Sequence, residues 1–327
     1  MLLRRYRLVI QHVMFVVMMY GGRFGVKLGP ALPCFACPYV AGCGGYCYLG
    51  GLQGYIGFGI AAADFWGFEG LRAIGYLLMF VGLVMLLGKA WCGFVCPFGL
   101  VSDWLTLLRR RLGIPEWKIS PDTARRLGPI KYAFLAYCAA GPVLINLGIL
   151  HPDFDLPFCQ MFCPGKPLLP LFIGETRYSV LDLTNSATIV KTACSLAAAG
   201  GCLAAMSVRP RFFCTFCPML ALIHLLKPLT PLALRKNPAL CRGCGSCQRV
   251  CGMDVERVGA EMVSGDVQTA ACVNCGDCVA GCSSDGALSL KFAGKTVVSS
   301  SAGLALGIRK GGKRGRGGRR NAGMPAG

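Results

Sequence analysis

Cys241-x2-Cys244-x2-Cys247-x3-Cys251, followed by Cys272-x2-Cys275-x2-Cys278-x3-Cys282, decides how the last third of this chain folds. Thiolates at that spacing wrap the corners of a 4Fe–4S cube, and where two such runs share a domain the fourth cysteine of each serves the other cluster. The expected ligand groups are Cys241, Cys244, Cys247 with Cys282, and Cys272, Cys275, Cys278 with Cys251. A zinc ribbon needs only two pairs and a longer spacer. Eight evenly spaced thiols with no histidine nearby favour iron. Gly252 and Ser283 stand where such runs usually carry proline, a departure that removes no ligand.

Upstream of these runs the chain is membrane-grade. Of its 327 residues 54% are hydrophobic and 15% charged, too apolar a balance for an ordinary soluble protein. Apolar stretches predict four spans, near residues 8–22, 72–89, 131–150 and 190–208. Each is close to the lower limit of about 17–20 residues needed to cross the hydrocarbon, and flanking Arg and Lys can snorkel to make up length. Arg4, Arg5 and Arg7 ahead of the first span resemble a signal peptide, but Gly21-Gly22-Arg23 makes a poor cleavage site, so an uncleaved anchor is expected. The 21 cysteines would suggest disulfides in a small secreted chain; here most are arranged as paired metal ligands.

The net charge of +19 follows the topology. Arg4, Arg5 and Arg7 precede span one; Arg109, Arg110, Arg111, Lys118, Arg125 and Arg126 follow span two; Arg209, Arg211, Lys227, Arg235 and Lys236 follow span four. The other loops carry Asp64, Glu69, Asp153, Asp155, Glu175 and Asp182. By the positive-inside rule both termini and the second loop are cytoplasmic, in a multi-pass protein of a bacterial or archaeal cytoplasmic membrane. The Gly, Lys and Arg tail from Arg309 to Arg320 cannot bury a core, and anionic lipid or an acidic partner is its expected contact. It lacks the interleaved aromatics of a nucleic-acid reader, which argues against that role.

A cysteine pair ending in proline recurs after each span: Cys34-x2-Cys37-Pro38, Cys92-x3-Cys96-Pro97, Cys159-x3-Cys163-Pro164 and Cys214-x2-Cys217-Pro218. Residues 1–120 and 121–235 therefore read as two copies of one unit: span, outer pair, span, inner pair. Proline suits the first turn of a helix, so each second cysteine is expected near an N-cap, where free N–H groups and the helix dipole favour an anionic cluster. Pro97–Arg111 reads as an amphipathic helix on the inner surface, with Leu100, Trp104, Leu107 and Leu108 on one stripe. Topology assigns Cys92, Cys96, Cys214 and Cys217 to the inner side and Cys34, Cys37, Cys159 and Cys163 to the outer. Four thiols per side is the number one 4Fe–4S cluster requires. For the outer set, disulfides Cys34–Cys37 or Cys159–Cys163 are the alternative in an oxidising compartment. Cys43 and Cys47 lack a counterpart and read as a local disulfide or extra ligands, and the glycines from Gly42 to Gly59 as a close backbone approach or a re-entrant loop. Cys138, Cys194 and Cys202 lie inside spans, where cysteine is commonly a packing residue. His12, within span one, is a candidate proton acceptor for a quinol or a packed histidine; His151 and His224 suggest no haem pair. Met14, Met18 and Met19 read as packing or soft-metal contacts.

Trp91-Cys92-Gly93-Phe94-Val95-Cys96-Pro97, Val101-Ser102-Asp103-Trp104, Leu108–Ile114, Phe213-Cys214-Thr215-Phe216-Cys217-Pro218 and the two cysteine runs together resemble the NapH/NosR-type membrane polyferredoxins over most of residues 72–292. The resemblance implies a mainly α chain, a four-span helical bundle with a C-terminal α+β two-cluster ferredoxin domain. The expected division is 1–120, 121–235, a ferredoxin domain at 236–295 and a disordered basic tail at 296–327. The implied function is electron transfer between the quinone pool or a cytoplasmic donor, such as a soluble ferredoxin, and an exported reductase or cytochrome. Expected cofactors are two 4Fe–4S clusters in the ferredoxin domain, one on the inner side, one on the outer, and a quinone. No long exported flavin-binding domain of the NosR kind, and so no covalently bound flavin, is expected, and the outer motifs are not features of the nitrate-reductase branch. An assembly factor that reduces or delivers a metal to a membrane oxidase or exported reductase is the competing reading. Across about 30 Å of hydrocarbon an intermediate carrier is needed: a quinone, a partner haem or the cysteines within the spans.

Overall fold

A computed structural model describes residues 2–36, 44–45, 47–62, 67–118, 120–151, 158–174, 183–259, 262 and 265–301. Cys37, Cys43 and residues 302–327 lie outside them, whereas residues 296–299, expected in the basic tail, belong to a strand paired with Leu288–Phe292. Helices dominate: α1 (Leu2–Tyr20), α2 (Tyr48–Ala62), α3 (Phe68–Leu87), α4 (Pro97–Arg111), α5 (Pro121–Leu127), α6 (Ile130–Asn146), α7 (Gly165–Leu168), α8 (Ser186–Val208) and α9 (Pro218–Leu225). Among the described residues three stretches are long and apolar enough to cross a membrane: Gly70–Leu87 in α3, Asp122–Asn146 through α5 and α6, and Ser186–Val208, the whole of α8. Local chemistry sets several helix starts. Ser120 caps α5 by accepting from Thr123 N–H, with Pro121 at the first helical position. Asn185 caps α8 in a reciprocal box with Thr188.

The remaining expected span, residues 8–22, falls on α1. This helix turns Val9, Ile10, Val13 and Val16 outward, while Arg7, Gln11, Met18 and Met19 are buried. That inversion suits a helix whose outer face meets an apolar environment and whose polar groups find partners inside.

The cysteine-proline motifs share one local design. Cys92-x3-Cys96 and Cys159-x3-Cys163 each close a π-helical turn, Trp91–Val95 and Phe158–Phe162. Cys96 N–H bonds the Trp91 carbonyl at 2.9 Å and Cys163 N–H the Phe158 carbonyl at 2.8 Å. The shorter Cys214-x2-Cys217 spacing makes a 3-10 turn, Phe212–Thr215, instead. Pro97 and Pro218 then open α4 and α9.

After α9 the chain enters an antiparallel sheet in the order β2-β1-β3-β4: β1 (Leu232–Lys236), β2 (Gly265–Asp266), β3 (Leu288–Phe292) and β4 (Lys295–Ser299). β1 lies between β2 and β3, with Leu234 opposite Leu290 and Arg235 opposite Asp266. Short helices α10 (Ser246–Arg249), α11 (Glu256–Gly259) and α12 (Asp277–Gly281) connect the strands. The inward face of β1 buries Leu232, Leu234 and Lys236, the last donating to the Val258 carbonyl at 3.0 Å.

Candidate metal centres

The two cysteine runs follow the same backbone path. In each, the second cysteine stands between two left-handed residues: Gly243 and Gly245 around Cys244, Asn274 and Gly276 around Cys275. The helix carrying the third cysteine, α10 or α12, starts directly after that second left-handed glycine. A side chain with a Cβ rarely adopts φ of 63° or 74°, so Gly245 and Gly276 fix the chain reversal. This path brings the runs together crosswise. Cys251 lies within electrostatic range of Cys272, Cys275 and Cys278. Cys247 lies in range of Cys282, and Cys244 Sγ is 3.5 Å from the hydroxyl of Ser283, the next residue.

The donor set fits iron–sulfur clusters. Around one zinc ion, Zn–S bonds of about 2.3 Å would hold the thiols within contact of each other. Among the described residues no three His, Cys, Asp or Glu close that tightly. Ligands of a cube sit on separate iron atoms and stand further apart. Burial pushes the Cys272 and Cys251 thiols up to about 11 and Cys275 to about 12, so each needs a bound metal's charge to ionise near neutrality. Asn274, beside Cys272, buries a side-chain Nδ2 with no partner, a donor suited to cluster or thiolate sulfur. Cys244 differs: it is exposed, and the Ser246 and Ser283 hydroxyls lower its thiol to about 7.

Cys92, Cys96, Cys214 and Cys217 also converge. Cys92 is in range of Cys96 and Cys214, and Cys217 of Cys92, Cys214 and Cys96. Backbone N–H groups point at the sulfurs as the helix-start argument expects: Leu220 N–H at Cys217, and Gly99, Phe35 and Phe98 N–H at Cys96.

The inner motif rests on the second ferredoxin run. A Cβ on Gly93 would fall 2.6 Å from the Val273 carbonyl oxygen and 3.0 Å from Cys275 Cα. Around this contact Asp103 binds Arg211 at 3.2 Å and Arg7 at 3.3 Å, and Arg7 reaches Asp277 at 2.7 Å. Arg211 also donates to the carbonyls of Cys92 and Gly93. Burial works to raise the Asp103 carboxyl, but the two guanidiniums hold it below its ordinary range. Beside this network Lys89, Lys131 and Lys227 donate to three consecutive carbonyls, Thr269 at 2.6 Å, Ala270 at 2.7 Å and Gln268 at 3.3 Å, just ahead of Cys272. The sequence marks Lys89 and Lys131 only as lone lysines at the ends of apolar spans.

The outer cysteines depart from the expected separation across the membrane. Cys47, at the start of α2, lies within electrostatic range of Cys96, and Phe35, next to Cys34, bonds Cys96 as described. A Cβ on Gly165 would meet Cys163 Sγ at 3.2 Å and Phe98 at 3.3 Å. The physical reason for the Cys34 segment is aromatic packing, since Phe35 meets Phe98 and Phe213 edge-on, while the Cys163 segment approaches Phe98 at Gly165. Cys34, Cys47, Cys159 and Cys163 are all buried.

His12 accepts from Trp104 Nε1 at 3.1 Å and contacts the Leu8 carbonyl through Nδ1, so both ring nitrogens are engaged in packing. Met18 and Met19 are core residues. A cavity of about 340 Å³ lies between the Phe158 and Phe212 turns, lined by Phe134, Phe158, Phe162, Phe213 and Phe216. This lining suits an isoprenoid or acyl chain.

Sequence comparison agrees with this geometry. Residues 70–115 and 194–237, which hold the inner pairs, match the 4Fe-4S binding domain family, and residues 233–290 match the 4Fe-4S dicluster domain family. The chain carries ferredoxin-type 4Fe–4S domains. It is 25% identical over 214 residues to "Putative electron transport protein YccM" of Escherichia coli (strain K12), 63% of this chain and 52% of that one. It is also 26% identical over 229 residues to "Uncharacterized protein MJ0750" of Methanocaldococcus jannaschii, 68% of this chain and 81% of that one. The chain thus spans about half the length of YccM. No solved structure matches.

Proposed function

We propose that this chain is a membrane electron-transfer protein of NapH/NosR type, exchanging electrons between the quinone pool or a cytoplasmic donor and an exported redox enzyme. Bound 4Fe–4S clusters supply one-electron carriers; the chain's own residues hold them, order them and exclude water. The crossed groups Cys241, Cys244, Cys247, Cys282 and Cys251, Cys272, Cys275, Cys278 hold two, and Cys92, Cys96, Cys214 and Cys217 hold one on the inner side. The observation that carries the reading is the seat of Gly93 on Val273–Cys275, which sets the inner thiols directly against the second ferredoxin run. In this reading α1 is the fourth span, the two repeat units form the bundle, and the ferredoxin domain follows and runs through β4 (Lys295–Ser299). The basic stretch from Arg309 to Arg320 binds anionic lipid in this reading.

Proteoliposomes with trapped ferricyanide and external dithionite test it. Internal ferricyanide should be reduced, with or without added menaquinone, and the rate should fall at least tenfold for Cys92→Ser with Cys217→Ser. A rate equal to protein-free vesicles under both conditions would sink the conduit.

A further inference from the structure

The two cysteine runs align position for position, and Asn274 in the second stands where Gly243 stands in the first. Both positions are left-handed, at φ of 50° and 64°. Asparagine tolerates that region better than most side chains, but glycine adopts it freely. On an exposed turn the asparagine amide would be solvated. Here the residue is 3% exposed; Cys272 Sγ donates to its Oδ1 at 3.4 Å, and its Nδ2 is buried without a partner among the described residues. A buried N–H left unpaired carries the full desolvation cost of the group. Turn formation alone therefore does not account for this residue, since glycine would make the turn and strand no donor.

The amide suits Cys272 in its metal-bound form. A ligand thiolate has no proton to give, so the S–H donor of the contact is gone once Cys272 holds iron. A half-turn of the amide exchanges Oδ1 for Nδ2 and turns the contact into an N–H donor aimed at sulfur. The first run is arranged differently. Its Cys244 is exposed and meets the hydroxyls of Ser246 at 3.4 Å and Ser283 at 3.5 Å. At the position of Ser246 the second run carries Asp277, whose carboxylate lies 3.6 Å from Cys275 Sγ and is paired with Arg7 at 2.7 Å. Burial and a neighbouring carboxylate both resist added negative charge, and the Asn274 amide opposes them.

We propose that Asn274 is a positioning residue that acts through the Cys272 sulfur to raise the reduction potential of the cluster held by Cys272, Cys275, Cys278 and Cys251. Reduction adds one electron, and with it one negative charge. An N–H donor on ligand sulfur stabilises the reduced form more than the oxidised one. When the electron passes to the next carrier, that gain is released. Asn274 is the middle residue of the Val273–Cys275 segment on which Gly93 sits, so the cluster it tunes is the one beside the inner cysteine motif. Without the amide, this buried position is an uphill step between the exposed first run and the inner thiols. The inference rests on the proposed electron-transfer function.

The test is a dithionite titration of the full chain, purified anaerobically, with low-temperature EPR following each cluster and iron assayed alongside. Asn274→Gly removes the amide and suits the left-handed backbone. It should keep its iron while one midpoint falls by about tenfold in the reduction equilibrium, about 59 mV for one electron. Asn274→Asp keeps the shape, offers sulfur no N–H and should lower the same midpoint further. The other midpoints should stay where they are. A midpoint that holds or rises in either iron-loaded variant overturns the proposal, and iron lost from both variants assigns Asn274 a structural role and overturns it too. A wild-type chain without iron or 4Fe–4S signals would sink the electron-transfer function instead.

Discussion

At Gly93 the chain has no room for a side chain. Both nearest obstacles, the Val273 carbonyl and the Cys275 Cα, are backbone and cannot rotate away. Gly93→Ala should therefore cost about 1–3 kcal/mol by overpacking and slow electron exchange between the inner thiols and the ferredoxin domain. Gly82→Ala, where a Cβ meets nothing within 4 Å, is the matched control. Thermal unfolding and stopped-flow reduction of both variants check this; equal behaviour would remove Gly93 as the junction. Asp103 is the second decisive residue. It is 14% exposed and separates two guanidiniums exposed by 2% and 3%. Asp103→Asn leaves those cations facing each other and should cost about 3–5 kcal/mol, read as a lowered unfolding midpoint. Because the folded carboxyl titrates below its ordinary value, its contribution is complete above about pH 4 and fades only as pH falls through the lower, folded value.

At the scale of elements, the ends of α3, α6 and α9 hold the loop before Cys272 through Lys89, Lys131 and Lys227. Lys89→Met with Lys131→Met should free the carbonyls of Thr269 and Ala270. Hydrogen exchange across residues 266–275 should then rise at least tenfold while ferredoxin iron is retained; unchanged protection would show that other contacts hold the loop. In α9, burial and these three lysines push the His224 imidazole down to about 4. Between pH 6.5 and 4 the unfolded chain binds a proton that the folded chain refuses, so stability is full above 6.5 and falls with acidification. His224→Leu should flatten that part of the stability-pH curve, measured by unfolding midpoints at pH 7.5 and 5.5; an unchanged slope would assign it to other groups. These contacts also show what the sequence conveyed. The two cysteine runs were legible as a dicluster 4Fe–4S domain because ligand spacing is local. The Pro97 and Pro218 helix starts were legible for the same reason. The approach of the Cys34 and Cys163 segments to the inner motif was not, because it depends on side chains meeting from distant parts of the chain: Phe35 on Phe98 and Phe213, and Gly165 beside Phe98. Hydropathy describes crossings and has no term for a segment that folds back.

At the scale of the whole molecule the thiol sets differ in burial along one line. Cys159 and Cys163 are buried, Cys92 and Cys217 are buried beside the second ferredoxin run, and Cys244 is exposed. An exposed terminus is where a soluble carrier can approach closely, and the charge around it selects the carrier. Arg242 and Arg249 are exposed on either side of Cys244, on a chain of net charge +19. Opposite charge on a partner would speed encounter by about tenfold or more at low salt and lose that gain as salt screens it. The expected result is that a small acidic ferredoxin, used as probe, reduces this protein about tenfold faster in 0.05 M than in 0.5 M salt. Arg242→Glu with Arg249→Glu should bring the low-salt rate down to the high-salt value with iron content unchanged. If the reversed charges leave rate and salt dependence as they were, the carrier docks elsewhere, and the exposed cysteine run is no port. A residual rate through another surface would then point to the bundle itself, where an apolar cavity lies beside Phe158 and Phe212.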